Sequence, residues 1–504
     1  MFEDCDYRHE CEFYKMRSEI REGGPSDVII VNQDLLIAHL LKRAQTSRGF
    51  IANRLPVIII DEAHNLEEKT RKALTRMWSP KKFKNLFKRV NKLLQSKENY
   101  FELLPHIEYI QTMINHMFLE WAADMENRIK EQDRYHYSDR IEVIVPTNLA
   151  KSEYKNAFNH LLTSLNIIDG KREREAEEVA GELESLHLFF DDLKQSNNAS
   201  QIYWGSANIE KGIDSIHIYH APKDINRKLD TILFRNSDYR VPVVLTSATL
   251  CQHAESVEKQ YKYQAEALGY SGLYSEPKLS PFAYDENARI YIPSDIIPPT
   301  KERHEMYLKQ ISNKILELAL ATNGRTMVLF TSKEDLQYVY HKLNDKKLPW
   351  PILTQRKGSS QSKVIDEFKS SQGLLLVTGV FWEGINISGQ ALSQVIIPRL
   401  PFPVPDPIVN YKCSMTTNPT NDVLIPEMLV KLRQGVGRLI RSETDKGIVS
   451  ILDSRVSSHP RKRRDYRDDV LNILPIKTQL YSIEEVREFA KTFNSTTFSL
   501  LQSG

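Results

Sequence analysis

The sequence predicts an α/β protein with buried parallel strands and a long helical segment inserted into the first of two α/β regions. Three apolar, β-branched runs are short and precede polar turns, as expected of strands that are covered on both faces and carry functional residues at their carboxyl ends. The runs are 28–31, 57–60 and 243–245. Between the last two, over 66–165 and 172–193, apolar residues recur at helical spacing and glycine is almost absent.

A second α/β series begins after Pro298 and Pro299. Four further apolar runs alternate with helical stretches, and this alternation predicts a second parallel sheet. The predicted strands are 326–330, 374–377, 394–397 and 448–452.

Size and composition set limits on the class of protein. A chain of 504 residues can hold roughly three domains, and 41% hydrophobic with 27% charged residues is ordinary for a soluble globular protein. The net charge of +2 creates no strong overall field, so contact with nucleic acid depends on local basic patches. Four cysteines exclude a disulfide scaffold and favour a reducing compartment.

The ends and the hydropathy pattern give no sign of membrane targeting. The first residues are polar and acidic, which excludes a signal peptide, and no apolar run approaches the roughly 20 residues of a membrane helix. We therefore expect a soluble, cytoplasmic protein that does not bind membranes, and we expect it to be a monomer.

The first chemical motif follows the run 57–60 and reads Asp-Glu-Ala-His. An aspartate at the end of a buried strand can hold Mg²⁺ through water, and the next glutamate can polarise the water that attacks a γ-phosphate. Asp61 and Glu62 suit these roles, and His64 is placed to sense the state of the site. The alternative is a surface turn whose two acids begin the following helix.

The second motif, 434–441, carries a glutamine and two arginines on a predicted helix. Gln434, Arg438 and Arg441 are spaced four and three apart, so we expect one helical face to present all three. Two guanidinium groups near phosphates would act as arginine fingers, and Gly437 would let a backbone or a ligand come close. The alternative is a solvated basic helix face.

Two loops that follow predicted strands add polar groups. Ser247 and Thr249 come directly after the run 243–245, where their hydroxyls could bond to His64 and link the nucleotide to nucleic acid. They could equally be a helix N-cap. Glu383 and Gly384 follow the strand 374–377 among aromatic residues, and the alternative there is an ordinary loop whose aromatics pack on the core.

The segment 69–92 carries ten basic residues and no acidic one. It also contains Trp78, Phe83 and Phe87. Such a helix could follow a phosphate backbone and stack on bases, or it could be a solvated helix whose aromatics face the core. Its candidate DNA-binding residues are Lys81, Lys82 and Lys84. We interpret the shorter run 461–464 as solvated surface.

Together, these motifs resemble the DinG-like members of the XPD/DinG group of superfamily-two helicases, over most of the chain. The segments that carry the resemblance are 26–32, 61–64, 245–250, 280–282, 381–384, 400–403 and 434–441. The resemblance implies two RecA-like parallel-sheet domains with ATP in the cleft between them, and a helical insertion that is similar to the arch domain. It also implies ATP and Mg²⁺ as cofactors, Asn32 as a DNA contact and Glu383, Gly384, Ser247, Thr249 and Gly437 as ATP-coupling residues.

By the same resemblance, the reaction is ATP hydrolysis coupled to 5′ to 3′ movement on single-stranded or forked DNA, in DNA repair or replication. The implied domains are 1–26 as a remnant of an iron–sulfur region, 27–75 with 225–297 as the first RecA-like domain, 76–224 as the insertion and 298–504 as the second RecA-like domain.

The sequence departs from the family pattern in two respects. Asn386 stands where the family usually has Asp, and no loop ending in Gly-Lys-Ser or Gly-Lys-Thr precedes Asp61 to hold phosphates. We therefore expect an incomplete first RecA-like domain and a lost amino-terminal part. Cys5 and Cys11 resemble the last two of the four cysteines that bind an iron–sulfur cluster in many members, but two thiols cannot hold a four-iron cluster. They could equally be ordinary cysteines.

Three functions remain open at this point. The first is an ATP-dependent DNA helicase of the DinG type. The second is a remnant that binds single-stranded DNA but does not hydrolyse ATP, which the missing phosphate loop favours. The third is part of a helicase–exonuclease fusion.

Overall fold

The structure is a computed structural model, and it divides the chain into two compact units. The described residues are 7, 10–22, 27–46, 49–51, 55–131, 140–150, 153–208, 212–235, 241–278, 280–355, 360–382, 387, 389 and 391–494. The first unit comprises Met1–Ser247, Ala265–Ser271 and Val404–Met415, and the second comprises Ala248–Gln264, Gly272–Pro403 and Thr416–Gly504.

The strands form three sheets. In chain order they are β1 (Ile58–Ile60), β2 (Arg76–Trp78), β3 (Ile141–Glu142), β4 (Gln201–Ser206), β5 (His217–Pro222), β6 (Val243–Leu245), β7 (Ala288–Tyr291), β8 (Thr326–Phe330), β9 (Ile352–Thr354), β10 (Leu374–Thr378), β11 (Gln394–Ile397), β12 (Gly447–Ile451) and β13 (Gln479–Leu480).

The α-helices connect and cover these sheets. In chain order they are α1 (Glu12–Glu22), α2 (Gln33–Thr46), α3 (Leu66–Leu74), α4 (Pro80–Leu94), α5 (Tyr100–Glu131), α6 (Tyr154–Asn166), α7 (Glu173–Leu193), α8 (Ile225–Leu229), α9 (Val257–Leu268), α10 (Tyr284–Asn287), α11 (His304–Ala321), α12 (Lys333–Asn344), α13 (Gln361–Ser371), α14 (Pro407–Ser414), α15 (Ile425–Val436), α16 (Arg467–Ile473) and α17 (Ile483–Asn494). Among the described helices, none combines the length and the apolar character that crossing a bilayer requires.

The second unit contains a seven-stranded sheet with the order β13-β7-β12-β11-β8-β10-β9, and every pair in it is parallel. Strands β8, β11 and β12 are buried at every position, as their β-branched and apolar residues require when helices cover both faces. All four strands predicted in this region are confirmed, and their bounds agree to within one residue. The α/β class with parallel sheets is therefore confirmed.

The sheet of the first unit that carries the Asp-Glu-Ala-His motif has two strands, β1 and β6, which pair in parallel. The predicted strand 28–31 is wrong, because no strand of the described residues pairs with that segment. Its side chains are accordingly open to solvent, with Val28 74% and Ile30 91% exposed. Ile59 of β1 and Val244 of β6 are paired neighbours in this sheet, and their exposed fractions are 66% and 49%.

The insertion is largely helical, as predicted, but it also contains an antiparallel sheet with the order β2-β5-β4-β3. Helices α4 to α7 pack into one core with this sheet. Its largest buried side chains include Phe87, Phe118, Trp121, Tyr154 and Phe190. The sequence does not predict this sheet, because its strands have only two to six residues and lack β-branched runs.

Helix α14 belongs to the first unit, although it lies between β11 and α15 in the sequence. Its Ile408 packs with Ile202, Trp204 and Ala221 of β4 and β5. The segment Val404–Met415 therefore covers part of the antiparallel sheet of the insertion.

Candidate functional site

The Asp-Glu-Ala-His motif forms a tight turn at the carboxyl end of β1. Glu62 has a left-handed backbone conformation (φ 50°, ψ 43°), which is uncommon for a residue other than glycine and recurs at functional sites. The strand ladder continues past β6, since Thr246 N donates to Ile60 O (2.9 Å) and Ala63 N donates to Thr246 O (3.1 Å). These bonds hold the turn beside the loop that follows β6.

A chain of hydrogen bonds joins the two loops. Ser247 Oγ lies 2.7 Å from His64 Nδ1 and donates to Glu62 Oε2 at 3.0 Å. Since the hydroxyl has one proton, His64 Nδ1 is the donor when Ser247 donates to Glu62. His64 is 4% exposed and Glu62 is 58% exposed, so the chain runs from a buried imidazole to an open carboxylate. The predicted bond between Ser247 and His64 is confirmed.

A residue that the sequence reading missed supports this turn. Gln33 Nε2 donates to the carbonyls of Asp61 (2.6 Å) and Glu62 (3.1 Å). Its neighbour Asn32, the candidate DNA contact, uses Oδ1 to accept from Leu35 N at 2.8 Å and so caps α2. An Asn before a helical run is a recognisable cap, whereas nothing in the sequence singles out Gln33. The DNA contact of Asn32 stays a prediction.

Helix α3, which follows the turn, is fixed by a cluster of three charges. Glu67 accepts from Arg71 Nη2 and from Lys412 Nζ of α14, both at 2.8 Å. Burial alone would raise the pKa of Glu67, but the Lys412 ammonium and the Arg71 guanidinium bring it below its usual value. Arg71 also donates to Pro222 O of β5 at 2.7 Å. The cluster therefore ties α3 to α14 and to the insertion.

The motif 434–441 does not lie on one helical face, so that prediction is wrong. Helix α15 ends at Val436, and Arg438 and Arg441 follow it in a turn. The turn is stabilised by Asp445, whose carboxylate accepts from Arg441 N (2.8 Å) and Ser442 N (2.9 Å). Arg438 Nη2 donates to Trp382 O at 3.3 Å, while Arg441 is exposed.

A second glycine of this motif, Gly435, permits close packing within the second unit, and the role predicted for Gly437 stays a prediction. A Cβ at Gly435 would lie 2.8 and 2.9 Å from ring carbons of Trp382 and 3.0 Å from Leu329 Cδ1. Gly437 is the C-cap of α15 and has an ordinary φ of −62°. Gly435 therefore lets α15 pack directly on the Trp382 ring.

Of the other predicted coupling residues, the structure describes Thr249 but not Glu383 or Gly384. Thr249 is buried in the turn after β6, and the role assigned to it stays a prediction. Glu383, Gly384 and Asn386 lie outside the described residues.

The basic segment 69–92 runs from α3 through β2 into α4, and its aromatics belong to the core. Trp78, Phe83 and Phe87 are buried, so the interpretation that they stack on bases is wrong and the core alternative is confirmed. Lys82 Nζ donates to Met77 O at 3.1 Å and lies 4.3 Å from the centre of the Trp78 ring. Burial lowers the pKa of Lys82. Lys81 and Lys84 are exposed, and contact of the three lysines with DNA stays a prediction.

The family resemblance implies Mg²⁺ at Asp61 and raises the question of an iron–sulfur cluster at Cys5 and Cys11. The exposed Asp61 carboxylate at the end of β1 is a suitable ligand for Mg²⁺ through water. Cys11 is a free, partly buried thiol, and Cys5 lies outside the described residues. No group of three or more His, Cys, Asp or Glu side chains in the described part of the chain could hold a metal. Cys5 and Cys11 provide two thiols, which by themselves cannot hold a four-iron cluster.

Comparisons with known proteins agree with the motifs. The family model described as "Helicase C-terminal domain" matches residues 315–475, and the model described as "DEAD_2" matches residues 1–81. The two matches cover the motifs after β1 and after α15.

Similar curated proteins cover nearly the whole chain. The "3′-5′ exonuclease DinG" of Bacillus subtilis is 28% identical over 91% of this chain and 53% of its own length. The "ATP-dependent DNA helicase YoaA" of Haemophilus influenzae is 26% identical over 96% of this chain and 72% of its own length. The chain thus spans about half of the first relative.

Among solved structures, Xpd4 of S. tokodaii resembles the chain with a TM-score of 0.52. Its sequence identity is 17%, and the match covers 88% of this chain and 80% of that one. This likeness concerns the fold.

Proposed function

The chain belongs to the DinG/XPD type of superfamily-two helicases, and from that premise we propose that it couples ATP hydrolysis to movement along single-stranded DNA. The observation that carries the proposal is the hydrogen-bonded chain of Glu62, Ser247 and His64 at the carboxyl ends of two parallel strands. Ligands of open α/β sheets bind at such ends. The relative from Haemophilus influenzae is named an ATP-dependent DNA helicase.

We assign the catalytic roles to the turn after β1. Asp61 would hold Mg²⁺, which neutralises phosphate charge when it is bound. Glu62 would orient and polarise the attacking water, because its carboxylate is more than half exposed while Ser247 and the left-handed backbone fix its direction. This positioning resembles that of a general base held by a neighbouring donor.

A second group of residues would link the state of the nucleotide to DNA. It comprises His64, the hydroxyls of Ser247 and Thr249, and the loop with Glu383 and Gly384. Ser247 supports this role, since its single hydroxyl contacts both His64 and Glu62. A change at the carboxylate would therefore reach the buried imidazole.

Gln434, Arg438 and Arg441 would act on the phosphates, and Gly437 would give the turn room to approach them. Two guanidinium groups in a turn stabilised by Asp445 suit the neutralisation of charge that develops in phosphoryl transfer.

The first test is ATP hydrolysis by the 504-residue chain with and without an oligothymidylate. We expect Arg438→Ala or Arg441→Ala to lower turnover on the order of 10³-fold, since arginine fingers contribute that much, and to change DNA affinity little. A coupled ATPase assay gives the turnover and fluorescence anisotropy gives the affinity. Unchanged turnover in both variants would remove the arginine-finger assignment.

Direction and substrate are further parts of the proposal. We propose 5′ to 3′ movement on single-stranded or forked DNA, in repair or replication, on the family resemblance alone. Strand displacement from duplexes with a 5′ or a 3′ overhang tests the direction, and unwinding only from the 3′ overhang would contradict it.

One observation favours a second candidate, which is binding of single-stranded DNA without hydrolysis. No Gly-Lys-Ser or Gly-Lys-Thr precedes Asp61 in the sequence, and such a loop is the usual cradle for phosphates. Filter binding with parallel ATPase measurements separates the candidates, because only the first releases phosphate above the level of Glu62→Gln. The same DNA on a denaturing gel tests for the exonuclease activity named for the Bacillus subtilis relative.

A further inference from the structure

A well-anchored loop follows β12 at the carboxyl end of the seven-stranded sheet. We call residues 457–464 the basic loop. It begins after Asp453 and Arg455, which form a bidentate pair with distances of 2.9 Å (Nε to Oδ1) and 2.7 Å (Nη2 to Oδ2). Asp453 is buried and also accepts from Leu400 N at 2.9 Å. The base of the loop is therefore firmly held.

The basic loop is also held at its centre. Lys462 Nζ donates to Ser294 O and to Ile296 O, both at 3.0 Å, in the segment that follows the neighbouring strand β7. Within the loop, Arg463 N donates to His459 O at 3.1 Å, and Arg464 N donates to Arg455 O at 2.8 Å. One basic side chain is thus used to fix the loop, and hydrogen bonds also hold the backbone around it.

The other three basic side chains, those of Arg461, Arg463 and Arg464, are exposed. None of their guanidinium groups lies within 4.0 Å of a carboxylate among the residues that the structure describes. The sequence contains no acidic residue from Val456 to Arg464. Arg467, just beyond the loop, does have such a partner, with Nη1 3.3 Å from Asp468 Oδ1. The exposed Asp465 directly follows the loop, but no ion pair joins it to these three arginines. The basic loop therefore presents three positive charges that have no carboxylate partner among the described residues.

We propose that the basic loop is a binding site for the phosphodiester backbone of single-stranded DNA. The inference rests on the proposed function, which it deepens by naming a DNA-binding surface on the second unit. Guanidinium groups bind phosphate oxygens in bidentate geometry, and a preorganised backbone reduces the entropy lost on binding. Because all three side chains are exposed on an open surface, they suit an extended strand and not a single enclosed phosphate ion.

The test measures the salt dependence of DNA binding. The dissociation constant of a fluorescein-labelled oligothymidylate is determined by anisotropy over a series of NaCl concentrations. The triple variant Arg461→Ala, Arg463→Ala, Arg464→Ala should lower the slope of log affinity against log salt by about 2, since each contact with single-stranded DNA contributes about 0.7. The variant with Lys at the same three positions should keep the slope, because Lys also neutralises phosphate.

The matched control removes three positive charges from the opposite end of the same sheet, where the amino ends of the strands lie. Lys342, Lys346 and Lys347 are exposed and lie at the end of α12 and just after it, where the chain returns to the amino end of β9. Their replacement by Ala should leave the slope unchanged. The inference would be overturned, and the proposed function would not, if the triple Ala variant kept the wild-type slope. The same holds if the Lys variant lost as much slope as the Ala variant. Failure of the wild type to bind the oligothymidylate would overturn the proposed function as well.

Discussion

At the scale of single residues, Gly435 shows how closely α15 packs on the second sheet. Gly435→Ala should lower the free energy of unfolding of the second unit by about 1–3 kcal/mol, because the added methyl group overlaps the Trp382 ring and Leu329. Urea denaturation followed by tryptophan fluorescence measures the change.

Gly181 provides the matched control for that substitution. It also lies inside a helix, α7, but a Cβ there would meet no atom within 4 Å. Gly181→Ala should therefore stabilise the first unit by about 0.5–1 kcal/mol through helix propensity. Equal effects of the two substitutions would contradict the packing of Gly435 on Trp382.

A second residue-scale prediction concerns pH. His39 is buried in α2, and its Nδ1 accepts from Phe50 N (3.0 Å) and Ile51 N (3.1 Å), an arrangement that protonation would break. Burial, with a smaller effect of Arg43, lowers the pKa of His39 from 6.5 to about 4. The unfolded chain thus binds the proton more tightly than the folded chain, and His39 contributes stability above pH 6.5 that is lost as the pH falls towards 4.

The measurement compares urea unfolding of the wild type and His39→Asn at about pH 8 and about pH 5. The wild type should lose about 2 kcal/mol more than the variant over this range. The comparison matters because burial also lowers the pKa of His220 to about 4, and that contribution is common to both proteins. An equal loss in both would contradict the role of His39.

At the scale of elements, α14 offers a test of how the insertion is held. Asp406 Oδ1 accepts from Ile408 N (2.9 Å) and Val409 N (2.8 Å) as the N-cap, while Oδ2 accepts from Arg140 Nη1 at 2.8 Å. Asp406→Asn keeps an oxygen for the cap and weakens the ion pair, so it should destabilise α14 by less than about 1 kcal/mol. Asp406→Ala also removes the cap and should cost about 1 kcal/mol more.

Hydrogen exchange of the α14 amides distinguishes the two variants. Faster exchange in Asp406→Ala than in Asp406→Asn is the expected result. Identical exchange in the two variants would show that the cap contributes nothing to α14.

The elements also show what could be predicted from the sequence. Strands β8 and β11 were predicted with the correct bounds, because fully buried strands need continuous apolar, β-branched runs. The run 28–31 has the same composition but pairs with no described strand, since pairing depends on a neighbour that local composition does not reveal. The spacing of Gln434, Arg438 and Arg441 predicts a helix that continues past Val436, but α15 ends there, where Gly435 and Gly437 lower the helix propensity.

The candidate site was predictable to a similar extent. Motif order identified Asp61, Glu62, His64 and Ser247, and the structure joins the last three by hydrogen bonds. The support from Gln33 could not be predicted, because it depends on how α2 approaches the turn after β1.

At the scale of the whole molecule, the central claim is that the turn after β1 hydrolyses ATP in response to DNA. Glu62→Gln tests it most directly, because the substitution keeps the size of the side chain and removes the carboxylate that would polarise water. The measurement is DNA-stimulated ATP hydrolysis together with DNA affinity, on wild type and variant. Hydrolysis should fall by about 10²- to 10⁴-fold with DNA affinity unchanged. Hydrolysis that survives at the wild-type rate would contradict the claim.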